Sequence, residues 1–372
     1  MLAMKIVFIT DHMKFSGGRR LMFDYAIALA EKGHDVETLV EEKKGELADY
    51  IPVRVVPELS AENIPDCDLI VATSPKEVRQ AHEADKGKVV HFCQGFELID
   101  LEQRISGQVL PPRYEGRGLL HALQIFKKKI GWKKKFKRFD DVYKLPTSLI
   151  AITDPMKKQL EERYGRHVDI VRNGVDLETL YPRKNWTPEK FTKERPMKII
   201  NIGPIEVTYK GIPTTLKAIS AAKEKNIPID FTRITPILAQ KEEKTDLPYK
   251  LLVSLPRDKF CETLRECDIY LSNSTEREGF GLPAMEALAS GLICILSDIT
   301  AYRSFSDRRD HCIFVPEGDS AATVKAIEKI YNMQPEEISK MRANALEVAS
   351  GFSHQKACCE FEQILQKIFN EK

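Results

Sequence analysis

The chain has 372 residues and a mass of 42.4 kDa, about two domains at roughly 150 residues each. Hydrophobic residues make up 42%, charged residues 30%, and the net charge is +2, which excludes a disordered or collagen-like chain and gives no global signal for nucleic acid. No apolar run approaches the ~20 residues that span a bilayer, and the opening MLAMKIVFIT is too short for a secretory signal and continues into a core strand.

Taken in chain order, MKIVFIT (4–10) is a β-branched run suited to a buried parallel strand. Gly17 and Gly18 follow, then LMFDYAIALAEKG (21–33) has helical spacing and stops on Gly33. Strands are expected at 35–40, 52–56, 68–73, 88–92, 147–153 and 167–171, with Asp154-Pro155 starting a helix. The rhythm then repeats. Strands fall at 197–203, 228–234, 249–255, 268–272 and 292–296, with helices at 211–226, 319–332, 335–349 and 354–370. Alternating strands and helices imply parallel sheets, hence an α/β chain of two Rossmann-like, doubly wound domains facing across a cleft. The Pro- and charge-rich stretch 182–196 is the expected boundary, giving domains 1–185 and 190–353, with helix 354–372 packing back on the first. The eight cysteines contain no CxxC pair, so reduced, buried thiols of a cytosolic protein are expected, not a zinc site or disulfide framework.

The densest chemical signal is STEREGFGLPAMEALASG (274–291). A strand leads into a turn whose Gly279 and Gly281 let backbone approach a ligand, and Pro283 opens a helix. Free amides at that helix start form an anion site suited to phosphate. Glu278 and Glu286 flank it, and each carboxylate can hold a vicinal diol through charge-assisted hydrogen bonds of about 1.5–3 kcal/mol. Phosphate between two diol-binding acids points to a nucleotide sugar. The plainer reading makes Glu286 a helix-dipole partner and Glu278 a solvated loop residue.

The string EGFGLPAME matches the E-x7-E motif of retaining glycosyltransferases of the GT-B fold and resembles family 4 of those enzymes. SGGRRLMFDYAIALAEKGHDV (16–36), VRNGVDLETLYP (171–182) and IGPIEVTYKGI (202–212) resemble that family's glycine loop, interdomain segment and phosphate-contacting stretch. The resemblance implies that Glu278 contacts the donor sugar, that Glu286 binds the ribose, and that amides around Phe280–Leu282 hold the diphosphate. It makes Lys210 the cation for the leaving phosphate and brings Gly17 and Gly18 near the donor. Donor-binding residues are then Gly17, Gly18, Lys210, Glu278, Gly279, Phe280, Gly281, Leu282 and Glu286, with Glu278, Lys210 and Gln94 catalytic. Base recognition is expected through backbone near Val253–Pro256.

Three departures stand out. Gly203 is followed by Pro204-Ile205 where the family has Gly-Arg-Leu, so a second cation is missing, with Arg19 or Arg20 as substitutes. In VVHFCQGFE (89–97), Gln94 replaces the family's histidine before Gly95, while His91 reads as core. Glutamine hydrogen-bonds a hydroxyl but cannot titrate, which excludes it as a general base. The segment SDITAYRSF (297–305) lacks the usual Gly-Gly and Glu. The implied route is same-face substitution, the leaving phosphate taking the acceptor's proton. Asp66-Cys67-Asp68 has the form of a metal-binding DxD but begins a strand, and no metal or other cofactor is expected.

Residues 101–144 hold 12 Lys/Arg against 4 Asp/Glu. Within 118–141, Leu119, Leu123, Phe126 and Ile130 fall at helical spacing, Gly131 interrupts, and Trp132, Phe136 and Phe139 resume the stripe among eight Lys/Arg at 127–138. This basic amphipathic pattern suits an anionic membrane surface and a lipid-linked acceptor, placing a cytoplasmic protein at the inner face of a membrane. The alternative is a solvated helix packing its stripe on its own domain. No recognised nucleic-acid module accompanies the segment, so nucleic acid is not expected as a partner. A nicotinamide oxidoreductase would need G-x-G-x-x-G after a strand, which neither half has. The leading reading is a hexosyl- or pentosyltransferase using a nucleoside-diphosphate sugar and a hydroxyl acceptor, lipid-linked or in a cell-surface polysaccharide. A non-catalytic nucleotide-sugar-binding or scaffold protein is the alternative.

Overall fold

The computed structural model describes residues 2–14, 16–45, 47–107, 119–236 and 246–371, with 119–124 as backbone. The chain divides into two compact units, Met1–Arg172 with Ala357–Lys372, and Asn173–Lys356.

In the first unit β1 (Lys5–His12), α1 (Gly17–Glu31), β2 (Asp35–Glu42), β3 (Arg54–Val55), β4 (Leu69–Ala72), α2 (Pro75–Ala84) and β5 (Lys88–Cys93) follow one another. After them come α3 (Glu97–Ser106), α4 (Leu119–Tyr143), β6 (Ser148–Ala151), α5 (Asp154–Tyr164) and β7 (Val168–Ile170). The strands form one parallel sheet ordered β3-β2-β1-β4-β5-β6-β7. Val7, Ile9, Ile70, Ala72, Val78 and Ala81 fill the layer between sheet and α2. The predicted strand 52–56 shrinks to two exposed residues, because it is an edge with only β2 to pair with.

The second unit runs β8 (Met197–Ile202), α6 (Ile212–Glu224), β9 (Ile229–Thr235), β10 (Lys250–Val253), α7 (Arg257–Glu266), β11 (Ile269–Ser272) and α8 (Leu282–Ala289). It continues with β12 (Ile293–Ser297), α9 (Thr300–Arg303), β13 (Ile313–Val315), α10 (Ser320–Tyr331), α11 (Pro335–Ser350) and α12 (His354–Asn370). Its parallel sheet is ordered β10-β9-β8-β11-β12-β13. β11 and β12 are fully enclosed, and β8 is enclosed apart from Lys198, as expected of strands covered on both faces.

From Ala357 onward α12 belongs to the first unit. Phe361 stacks on Tyr25 with ring centroids 4.8 Å apart and meets Phe92 at 5.0 Å. Buried His34 accepts the Met4 amide at Nδ1 (3.1 Å), so Nε2 carries the proton that faces Glu362 at 3.2 Å. Lys32 donates to the same carboxylate, fixing the register of α12.

The two sheets share one topological property. Strand order reverses between β1 and β4 and again between β8 and β11. Ligands of open parallel sheets bind outside the carboxyl ends of the strands at such points.

Helix α4 is continuous through Gly131, where the sequence suggested an interruption. Glycine costs only about 1 kcal/mol inside a helix, and good helix formers surround this one. Phe126 and Ile130 are 64% and 44% exposed, while Phe136 lies under the Arg163 guanidinium, 5.2 Å from the ring centre. Gly118 and the side chains of Leu119 and Leu123 lie outside the described residues. Among those described, no helix is long and apolar enough to cross a membrane.

Candidate donor site

The carboxyl ends of β8 and β11 are drawn together by their loops. Gly211 (φ +62°) packs so tightly on the Asn273 backbone that a methyl group there would overlap its carbonyl. The Thr275 amide donates to Tyr209 O at 2.8 Å, tying the loop after β11 to the short 3₁₀ turn Thr208–Lys210. Asn273 is held on both sides, accepting from Thr215 Oγ1 and donating to Thr323 Oγ1, each at 2.9 Å.

Lys210 and Glu278 meet on this frame. Lys210 Nζ donates to Glu278 Oε2 at 2.7 Å, and Ser274 Oγ donates to the same oxygen at 3.0 Å. Glu278 Oε1 accepts from no described residue, so one carboxylate edge remains for a ligand hydroxyl. Burial alone would lower the Lys210 pKa, but the Glu278 charge outweighs it and holds the ammonium above its ordinary value.

The turn that follows carries the anion-binding geometry. Among the described residues the amides of Gly279, Phe280, Gly281 and Leu282 donate to no acceptor, and α8 has no side-chain cap. Pro283 at the start of α8 has no amide to offer, so the donors sit in the turn itself. Gly281 has φ +88° and lies against Tyr302, where a methyl would overlap Cε1. Tyr302 is buried, its hydroxyl 2.7 Å from Ser272 Oγ, and burial followed by the Glu278 charge raises its pKa. Phe280 faces inward against Phe305 and Phe352, 5.3 and 5.8 Å between centroids. The turn is therefore supported from below by aromatic rings while its amides stay unpaired.

Glu286 sits one turn into α8, 8% exposed, and accepts from Arg257 Nη1 at 2.6 Å. The expected base-recognition segment, Val253–Pro256, leads from the end of β10 into α7, whose first residue is this arginine. Neither acid is a solvated loop residue or a simple dipole partner; each is held by a cation.

The residues expected from the first half lie in the first unit. Gly17 opens α1, and Ser16 Oγ caps it by accepting the Arg19 amide at 3.2 Å. A methyl on Gly18 would lie 2.9 Å from Gln94 Cβ, so the glycine loop and the β5 turn touch. Arg19 is committed locally, donating through Nε to Thr10 Oγ1 (3.0 Å) and through Nη1 to Lys14 O (2.8 Å). Arg20 lies 3.8 Å from Asp24 Oδ2. His91 is completely buried in β5, its ring 4.7 Å from that of Tyr143. The Asp66-Cys67-Asp68 sequence lies at the amino end of β4, away from the carboxyl ends. Asp68 accepts the Lys5 amide at 2.7 Å and Asp66 pairs with Lys86 at 3.1 Å. Among the described residues no three His, Cys, Asp or Glu side chains converge on a point suited to a metal.

Sequence reasoning missed Arg257, Ser274 and Tyr302 at the second-unit site, and Glu77 in the first unit. Glu77 is fully buried and accepts from Thr10 Oγ1 (3.0 Å), the Asp11 amide (3.1 Å) and the Ser74 amide (2.9 Å). It thereby clamps the ends of β1 and β4 together. The Ser-x-x-Glu spacing of Ser74 and Glu77, a capping box, was the available signal.

Known proteins resemble this chain in sequence and in fold. Residues 182–348 match the family described as glycosyl transferases group 1. A GDP-mannose:cellobiosyl-diphosphopolyprenol alpha-mannosyltransferase of Komagataeibacter xylinus is 27% identical over 117 residues, 32% of this chain and 30% of that protein. A phosphatidyl-myo-inositol mannosyltransferase of Mycobacterium leprae (strain TN) is 23% identical over 195 residues, 48% of each chain. The alignments thus span less than half the length of these relatives. Among solved structures, Anabaena Alr3699/HepE in complex with UDP-glucose superposes with a TM-score of 0.73 at 14% identity, covering 98% of this chain and 100% of that one. Sucrose-phosphate synthase from Thermosynechococcus elongatus gives 0.71 at 14% identity over 98% and 99%. The protein thus has the GT-B fold, and its residues 182–348 carry the match to the glycosyl transferases group 1 family.

Proposed function

We propose that the chain is a retaining glycosyltransferase that moves a hexosyl or pentosyl group from a nucleoside-diphosphate sugar to a hydroxyl acceptor. The observation that carries this reading is the run of unpaired amides at Gly279–Leu282 beside the Lys210–Glu278 pair. The diphosphate docks on the amides, with Lys210 compensating the charge that grows on the leaving phosphate. Preorganised donors of that kind are each worth about 10²–10³ in rate. Glu278 holds a sugar hydroxyl, Glu286 the ribose diol, and Gln94 a hydroxyl of the transferred sugar. Substitution proceeds on one face, with the phosphate taking the acceptor's proton, so no metal is needed and transfer persists in chelator. Mannosyl and glucosyl groups appear in the names of the relatives and structural neighbours, which favours a hexose.

The acceptor in this proposal is lipid-linked or part of a cell-surface polysaccharide, and the protein works in the cytoplasm at the inner face of a membrane. Support comes from α4. Exposed Phe126 and Ile130 are followed on the same helical stripe by exposed Lys133, Lys134 and Lys137. Each cation near an anionic surface contributes about 1 kcal/mol. The names of both relatives include a lipid acceptor.

The test measures nucleoside-diphosphate release from UDP-glucose and GDP-mannose by the wild type and by Glu278→Ala. Turnover in the wild type and a loss of at least ~100-fold in the variant is expected. Donor binding without turnover in either protein would favour a binding or scaffold role.

A further inference from the structure

Resting on that donor reading, we infer that Tyr302 is a positioning residue for Glu278: its hydroxyl heads a one-way chain of hydrogen bonds, through Ser272 and Ser274, that sets the sugar-binding carboxylate.

The groups lie in series. Tyr302 Oη is 2.7 Å from Ser272 Oγ, Ser272 Oγ is 3.1 Å from Ser274 Oγ, and Ser274 Oγ is 3.0 Å from Glu278 Oε2. Tyr302, Ser272 and Ser274 are all buried. Taken singly, either oxygen of each hydroxyl pair could donate. The far end removes that freedom. The Glu278 carboxylate faces the Lys210 ammonium at 2.7 Å and has no proton to give, so Ser274 donates to it. A hydroxyl carries one proton. Ser274 therefore accepts from Ser272, and Ser272 accepts from Tyr302. Burial, followed by the Glu278 charge, raises the Tyr302 pKa and keeps that first proton in place. Hydrogen bonds in such a series strengthen one another, and the low surrounding dielectric makes a missing link costly.

The chain ends where the chemistry needs order. Oε2 of Glu278 is held by Lys210 and Ser274 together, which fixes the carboxylate and leaves Oε1 for a hydroxyl of the transferred sugar. The Tyr302 ring has a second task. It fills the space beneath Gly281 and packs on Phe305, 5.7 Å between centroids, so it supports the turn whose amides face the diphosphate. One side chain thus serves both ends of the donor: the ring under the phosphate turn, the hydroxyl behind the sugar acid. The segment 297–305, which lacks the glycine pair and the acid, supplies this tyrosine instead. Because ring and hydroxyl act on different parts of the donor, their effects separate by experiment.

The experiment compares the wild type, Tyr302→Phe, Ser274→Ala and the double variant. Calorimetry with UDP and GDP reports the phosphate turn, and kcat for nucleoside-diphosphate release from UDP-glucose and GDP-mannose reports the sugar acid. Phenylalanine keeps the ring beneath Gly281 and removes only the hydroxyl. Tyr302→Phe is expected to bind the diphosphate within ~2-fold of the wild type while kcat falls ~10-fold. Ser274→Ala disconnects the chain, so adding Tyr302→Phe to it should change kcat by less than ~2-fold. Wild-type kcat in Tyr302→Phe overturns the assignment, as do effects that multiply in the double variant. Diphosphate affinity falling as far as kcat in Tyr302→Phe also overturns it, since the turn and not the acid would then have been disturbed. Diphosphate binding by the wild type with no release from either donor overturns it as well, because Glu278 would then serve no transfer. Absence of diphosphate binding by the wild type overturns the donor reading itself.

Discussion

Lys210 Nζ and Glu278 Oε2 lie 2.7 Å apart across 68 residues of sequence, with the side chains only 15% and 8% exposed. The site therefore holds the proposed catalytic cation and the proposed sugar-binding acid in one buried pair, with the Ser274 hydroxyl on the shared oxygen. Removing either partner strands the other. Lys210→Met and Glu278→Gln should each destabilise the fold by about 3 kcal/mol. The double variant should cost less than the sum by at least ~1 kcal/mol, read from urea unfolding. Strict additivity would show that the two side chains do not interact in solution. The Lys210 pKa is raised in the folded state, so its stabilising contribution is complete at neutral pH. That contribution fades only as pH rises beyond the ordinary lysine value of 10.5.

Glu286 and Lys210 should fail in different ways. If Glu286 grips the ribose diol, Glu286→Gln weakens nucleotides that carry both ribose hydroxyls and barely affects their 2′-deoxy forms. The wild type's preference for UDP or GDP over the deoxy nucleotide, expected near 10-fold for a lost charge-assisted bond, should collapse toward unity. Lys210→Met should retain that preference while losing diphosphate affinity. A preference retained in Glu286→Gln would place the ribose elsewhere.

The α4 face makes a separate claim. Phe126 and Ile130 are exposed at i and i+4, with lysines continuing the stripe. Flotation with vesicles containing 30% phosphatidylserine or phosphatidylglycerol should recover the wild type with lipid, and far less of it with pure phosphatidylcholine. Phe126→Glu with Ile130→Glu should return the protein to the soluble fraction without altering thermal stability. Equal behaviour on both vesicle types would mean that the helix is simply solvated.

Buried His91 gives a pH signature. Burial, followed by the Arg166 charge, pushes its pKa down to about 3 from 6.5. The folded state therefore refuses a proton that the unfolded state takes below pH ~6.5. Stability should fall as pH drops from about 6.5 toward 3, by up to ~1.4 kcal/mol per unit. His91→Phe should remove that part of the slope, whatever its effect on stability at pH 7. An acid slope identical in wild type and variant would contradict the assignment.

Much of the architecture was legible because burial on both faces forces continuous apolar strands, and β1, β8, β11 and β12 are of that kind. The turn at Gly279–Leu282 was legible for a local reason: two glycines and a proline in five residues constrain backbone before any tertiary contact forms. The cation facing Glu286 was not legible in the same way. Arg257 and Glu286 are 29 residues apart, and which arginine meets which carboxylate follows from how α7 lies beside α8. Tyr302 illustrates the same limit. Its segment looked deficient for want of glycines, yet its ring fills the space beneath Gly281. Glycine at 131 misled in the other direction, since propensity alone does not break a helix whose neighbours favour it.

The most direct test of the central claim is a crystal structure with UDP or GDP soaked in, whichever binds more tightly. The account predicts β-phosphate oxygens within about 3.2 Å of at least two of the Phe280, Gly281 and Leu282 amide nitrogens, with Lys210 Nζ in contact. Nucleotide bound elsewhere, with those amides facing solvent, would contradict it.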